Sequence, residues 1–158
     1  MGKFVQYLRG ACASFVWLAG VPFINAGIAF RAKSVVDARG YVARHFNRFL
    51  KTCKFQVEIS GNPPKAGQGA VLIYNETSFA DVAAYGAELW DYVDRAAAAE
   101  LYGYLPFGKV AMRKANVELV SRGNRQATEK LLQKMVFAVE NGERVAWGGE
   151  GRLELGFM

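Results

Sequence analysis

Ala70-Val71-Leu72-Ile73-Tyr74 is apolar at every position and gives way at once to Asn75-Glu76-Thr77-Ser78-Phe79-Ala80-Asp81. Five apolar residues without a polar alternate fit a strand buried on both faces, as in a parallel sheet covered by helices. Parallel pairing needs long crossover connections, so helices must alternate with strands along such a chain. The polar burst then falls at the strand's C-terminal end, where open α/β sheets bind their ligands. Its two carboxylates, Glu76 and Asp81, stand five positions apart.

The sequence on either side follows that scheme. Ser34 to Lys51 reads as a helix with Val35, Val42, Phe46, Phe49 and Leu50 on one face and Arg44, Arg48 and Lys51 on the other. His45 stands beside the apolar face and reads as a packed or interfacial histidine. Phe55, Val57 and Ile59 alternate with polar residues, which predicts a half-buried strand that Gly61-Asn62-Pro63-Pro64 stops. Ala80 to Trp90 reads as a helix, with Ser78 and Asp81 at capping-box spacing.

Ala96 to Ala99 is a further strand candidate, although four alanines favour helix. A loop of aromatics, Gly and Pro from Leu101 to Gly108 leads into a short basic helix around Lys109 to Lys114. Val117 and Leu119 alternate as the next strand, which ends at Arg122-Gly123-Asn124. Asn124 is a good N-cap for a helix placing Leu131, Leu132, Met135, Val136 and Val139 inward, and Gly142 stops that helix. Arg144 to Trp147 is the last strand, followed directly by Gly148-Gly149-Glu150-Gly151-Arg152. The layout is α/β, a mixed or mostly parallel sheet flanked by helices, with polar groups delivered at one edge.

The N-terminal third is different in kind. Residues 1–54 hold nine Lys or Arg against the single acid Asp37, so the net charge of +6 conceals a basic excess confined to this region. Gly10 to Phe30 contains no charge, and twenty-one residues match the roughly twenty needed to cross a bilayer core. Pro22 and Asn25 predict a break near its middle, giving an apolar helical hairpin lying in one leaflet. A basic amphipathic helix beside it suits anionic headgroups rather than nucleic acid. Arg31, Lys33 and Arg39 argue for a cytoplasmic C-terminal side. A signal peptide and a buried core helix remain open for the same stretch. The expected organisation is therefore a membrane-associating region over 1–54 and an α/β domain over 55–158. Cys12 and Cys53 show neither metal-type nor redox-type spacing and read as small hydrophobes.

The order of these pieces resembles the glycerolipid acyltransferase family, which is typified by the enzymes that acylate 1-acyl-glycerol-3-phosphate. Asn75-Glu76-Thr77-Ser78-Phe79-Ala80-Asp81 fills the place of the family's Asn-His-x-x-x-x-Asp motif, with Glu76 where the family has His. Pro106-Phe107-Gly108 with Val117 to Arg122-Gly123-Asn124 is similar to its second region. Trp147-Gly148-Gly149-Glu150-Gly151-Arg152 is similar to a Phe-Pro-Glu-Gly-Thr-Arg motif, without its Pro and Thr. Family members continue past this motif, so the α/β domain is expected to be incomplete at its C-terminus.

The resemblance implies transfer of a fatty acyl group from acyl-CoA or acyl carrier protein to a lysophospholipid hydroxyl at the cytoplasmic membrane face. No other cofactor and no nucleic acid are implied. It gives Glu76 and Asp81 the catalytic positions, and Asn75, Arg122, Glu150, Gly151 and Arg152 the acceptor site. A lipid-binding relative without turnover is the alternative, because a carboxylate near pKa 4.3 is a weaker base than an imidazole near 6.5. Two carboxylates with no His or Cys partner are too few for zinc and offer only a loose magnesium site, so no metal is expected.

Overall fold

The computed structural model of the chain describes residues 3–74, 79–121 and 123–148. Its elements run α1 (Lys3–Arg31), α2 (Val35–Cys53), β1 (Ala70–Tyr74), α3 (Phe79–Glu88), β2 (Arg95–Ala99), α4 (Gly108–Lys114), β3 (Val117–Val120), α5 (Arg125–Glu140) and β4 (Arg144–Gly148). Short 3-10 turns follow α3 and β2. The four strands form one sheet in the order β1-β4-β2-β3, and every pair is parallel. The α/β architecture is therefore the one expected.

Local chemistry sets the helix ends. The Ser34 hydroxyl accepts from the Asp37 N–H at 3.0 Å and the Asp37 carboxylate accepts from the Lys33 N–H at 3.1 Å, closing the start of α2. Asn124 caps α5 through its side-chain oxygen, which accepts from the Ala127 N–H at 3.0 Å.

Helices cover the two faces of the sheet unequally. On one face, Ile28 of α1, Ala38 of α2, Ala111 of α4 and Ala115 just after it pack with Ala96, Val117 and Ala146 of the strands. Small side chains dominate this layer, so the helices must approach the sheet closely to fill it. On the other face Leu131, Met135 and Ala138 of α5 pack on Val145, with Ala97, Val120 and Trp147 around them.

Four expectations need correction. The apolar N-terminal run is one continuous helix, not a hairpin broken at Pro22. Proline forfeits one i→i−4 bond, but the residues on both sides of it are packed. Gly20 lies against His45 and Gly27 against Tyr41 of α2, while Ile28 packs against α4. The helical pair of this region is α1 with α2.

β1 is also not buried on both faces: Val71 and Ile73 are 56% and 72% exposed. Among the described residues it is an edge strand, and α5 packs on the other three. Residues 55–59 form no strand, and Phe55, Val57 and Ile59 are exposed. Alternation creates an amphipathic segment, but only a partner edge turns it into a ladder. Finally, the buried stripe of α5 is narrower than expected. Leu132 and Val136 lie on its exposed flank, while Leu131, Met135 and Ala138 keep the i, i+4, i+7 spacing of a single contact line.

Candidate functional site

A cavity of about 970 Å³ lies between the sheet and the helices and reaches the C-terminal edge of the sheet. Tyr74, Ala99, Val120 and Gly148, each at or near the C-terminal end of its strand, line it. α1 contributes Trp17, Val21 and Ile24, α2 contributes Val42, His45 and Phe46, and α3 contributes Val82, Tyr85 and Gly86. The lining is mainly apolar, with an aromatic wall in which the Tyr74 and Tyr85 rings lie 4.4 Å apart.

Two glycines let the helical side of this chamber close. A Cβ on Gly86 would stand 2.2 Å from the Phe46 ring, and one on Gly20 would stand 2.6 Å from the His45 ring. α2 thus presses aromatic side chains against backbone on both neighbouring helices. His45 is 8% exposed and stacks on Trp17 with ring centroids 6.3 Å apart. Its Nε2 is buried with no hydrogen-bond partner among the described residues. Burial pushes the imidazole below the usual histidine range, against a smaller opposing effect from a hydrogen bond with the Trp17 backbone; nearby Arg48 adds to the lowering.

Of the residues expected to form the site, Asp81 is described. It lies half-buried in the first turn of α3, on the helix whose Val82 and Tyr85 line the cavity. An acidic residue there also complements the positive end of the helix dipole. Asn75, Glu76, Arg122, Glu150, Gly151 and Arg152 lie outside the described residues. The described residues that bracket them in sequence are Tyr74, Ser121 with Gly123, and Gly148; Tyr74, Gly123 and Gly148 line the cavity.

A second polar assembly, which the sequence did not announce, occupies the opposite edge of the sheet. Arg144 opens β4 and is 8% exposed. Its Nε and Nη2 donate to the two carboxylate oxygens of Asp94 at 2.9 Å each, and its N–H donates to the same carboxylate at 2.9 Å. Those bonds hold the Asp94 carboxyl well below the usual range, at about 2, and raise Arg144. Arg39 of α2 donates to the carbonyls of Val93 and Asp94 at 2.6 Å each and of Ala115 at 3.1 Å. The Asn116 amide adds a further bond to the Asp94 carbonyl at 2.6 Å. Beside this group Arg95 bridges Glu118 and Glu143 at 2.9 and 2.8 Å.

Its bonds tie α2 to the starts of β2 and β4, so this assembly is a structural clamp on the strand starts. The sequence signal for it is slight: Asp94 just before β2 and Arg144 at the head of β4 are charges placed where buried strands begin. His45 and Trp17 were equally hard to assign to the cavity, because nothing in helical spacing says which apolar face meets an empty volume.

No family model, curated protein or solved structure matches the chain. The fold class it defines is an all-parallel α/β sheet with an apolar chamber at its C-terminal edge and a long apolar N-terminal helix.

Proposed function

We propose that the chain is an acyl-transfer domain of the glycerolipid acyltransferase type. It would move a fatty acyl group from an acyl-CoA or acyl carrier protein thioester to the hydroxyl of a lysophospholipid such as 1-acyl-glycerol-3-phosphate. The observation that carries this reading is the chamber of about 970 Å³, apolar and reaching the sheet edge where α/β enzymes do their chemistry. Its volume falls at the upper end of the ~300–1,000 Å³ of small-molecule sites. Each methylene of an acyl chain buried there contributes about 0.8 kcal/mol.

The chemistry rests on residues adjoining the strand ends in sequence. The acceptor hydroxyl attacks the thioester carbonyl, a C–O bond forms, the C–S bond breaks, and the proton leaves with the thiol. Glu76 is the acceptor of that proton, with Asp81 nearby in sequence; a second carboxylate raises its affinity for a proton if the two lie close together. Arg122 and Arg152 suit the phosphate of the acceptor, which guanidinium groups hold bidentately. Asn75, Glu150 and Gly151 complete the acceptor site. α1 attaches the domain to the cytoplasmic face of a membrane; its length and apolarity and the basic excess of residues 1–54 support this.

The test follows free thiol release from acyl-CoA in the presence of lysophosphatidate. Release is expected to be slow with Glu76 and faster in Glu76→His. A Glu76→His chain that binds lysophosphatidate and releases no thiol refutes the catalytic assignment. The carboxylate at position 76 also favours a second reading, a lipid-binding relative without turnover. It predicts saturable lysophosphatidate binding that weakens in Arg122→Ala with no thioester consumed, and brisk thiol release excludes it.

A further inference from the structure

α1 is long and apolar enough to cross a membrane, and only 17% of its most apolar window is buried. Helical spacing puts its exposed residues Phe4, Leu8, Phe15, Phe23 and Phe30 along one side, opposite the face that packs on α2 and α4. That side does not end with the helix. Phe30 meets the ring of Phe107, edge to face at 5.1 Å between centroids. Phe107 belongs to Tyr104-Leu105-Pro106-Phe107, four consecutive exposed residues between the turn after β2 and the start of α4.

Exposed apolar runs of this kind mark interaction sites. Two features show that this one is built into the fold. The buried Asn25 of α1 donates through Nδ2 to the Pro106 carbonyl at 3.1 Å. Lys114, at the other end of α4, donates to the Ala29 and Ala32 carbonyls at 2.9 Å each. The loop and α4 are thereby fixed to the C-terminal part of α1. Phe107 also holds a left-handed backbone, φ 60°, that a bulky residue rarely adopts.

We infer that Tyr104–Phe107 is a second membrane-inserting element, entering the headgroup region of an anionic bilayer beside the Phe30 end of α1. Its composition is that of an interfacial segment: aromatic and aliphatic tips ringed by cations. The exposed Lys109 lies over the Tyr104 ring at 5.7 Å, and Arg31 and Arg113 are exposed nearby in sequence on α1 and α4. The phosphates of an anionic bilayer lie at the depth where such cations sit when the aromatic tips enter, and the loop continues the apolar side of α1. The inference rests on membrane attachment through α1 and is independent of acyl transfer.

The test uses the full chain with Cys12 and Cys53 changed to Ser, carrying one spin label at a time. It is reconstituted in vesicles of phosphatidylcholine and phosphatidylglycerol. Labels go at Tyr104→Cys, Phe107→Cys, Phe15→Cys on the outer side of α1, and Gln133→Cys on α5. Accessibility to oxygen relative to a water-soluble nickel complex is expected to be high at 15, raised at 104 and 107, and low at 133. In vesicles of phosphatidylcholine alone the values at 104 and 107 are expected to fall.

A high ratio at 15 with a value at 104 and 107 equal to that at 133 overturns the inference while leaving α1 in the membrane. A low ratio at all four positions overturns both. Shielding of 104 and 107 from both reagents, with cross-linking between copies, would mean that a protein surface covers the loop, and that also overturns it. Unchanged circular dichroism of each labelled chain ensures that the labels report the native loop.

Discussion

Asp94→Asn is the most informative single change at the sheet's structural edge. The substitution keeps size and shape but removes the charge that faces Arg144, and it turns half of the carboxylate into a donor aimed at other donors. Two independent figures bound the cost. The Asp94 shift from 3.8 to about 2 corresponds to about 2.4 kcal/mol at ~1.36 kcal/mol per unit. The Asp94 side chain is 34% exposed, and solvent screening trims that to about 1–2 kcal/mol.

The second figure comes from the partner. Arg144 is buried, and removing one member of a buried pair costs about 3–5 kcal/mol because the other is stranded. Arg144 keeps the carbonyl of Asp91 at 3.1 Å, so the lower end applies. We expect a loss of about 2–3 kcal/mol, or roughly 4–12 °C in melting temperature for a domain of this size.

The pH dependence gives a second readout. Because the folded pKa of Asp94 is depressed, its contribution is present above about 3.8 and is lost as pH falls toward about 2. Thermal unfolding in a neutral detergent from pH 7 to 2 should show this decline in the parent chain and a smaller one in Asp94→Asn. Replacing both partners with apolar residues, Asp94→Leu with Arg144→Met, should recover part of the loss, since an isosteric apolar pair strands no charge. A melting temperature for Asp94→Asn equal to the parent's, with the same acid slope, would refute the clamp.

Gly69→Ala should destabilise by about 2–4 kcal/mol in a denaturant titration, from backbone strain and overpacking together. Gly69 has φ 60°, and a Cβ there would stand 2.2 Å from the Val139 carbonyl oxygen, a backbone atom held by the Gly142 N–H. An ordinary surface-like response would show that the β1 entrance is looser than described. His45 governs a different pH window from Asp94. Its depressed folded pKa means that stability is present above about 6.5 and is lost as pH falls through the folded value. Melts between pH 7.5 and 5 should slope in the parent and flatten in His45→Leu; equal slopes would remove His45 as the cause.

The sequence was legible where one residue type does one local job. The apolar run at 70–74 and the segment at 144–147 are strands, and Asn124 caps its helix as capping chemistry requires. Ala96–Ala99 is a strand despite its helical propensity, because small side chains fit a sheet covered closely on both faces. What was not legible depends on position in the sheet. Nothing within Ala70–Tyr74 says that it is an edge, and nothing within Phe55–Ile59 says that no edge awaits it. Pro22 predicts a break by its own chemistry, whereas the packing that overrides it involves residues of α2 and α4. Of the expected site, Asp81 and the strand ends toward the cavity are described. The partners of Asp81 in the proposed chemistry cannot be ranked by spacing alone.

The sheet order bears on how the chain is made. Among the described residues β1 hydrogen-bonds only β4, yet about seventy residues separate Tyr74 from Arg144. As the chain leaves the ribosome, β2 and β3 can find each other after one short crossover, while β1 must wait for β4 to emerge. Throughout that interval its apolar residues have no ladder partner, a state prone to mispairing. β4 then enters between β1 and β2 and joins them. The strand that follows α5 is thus the piece whose arrival commits the nascent chain to its native form.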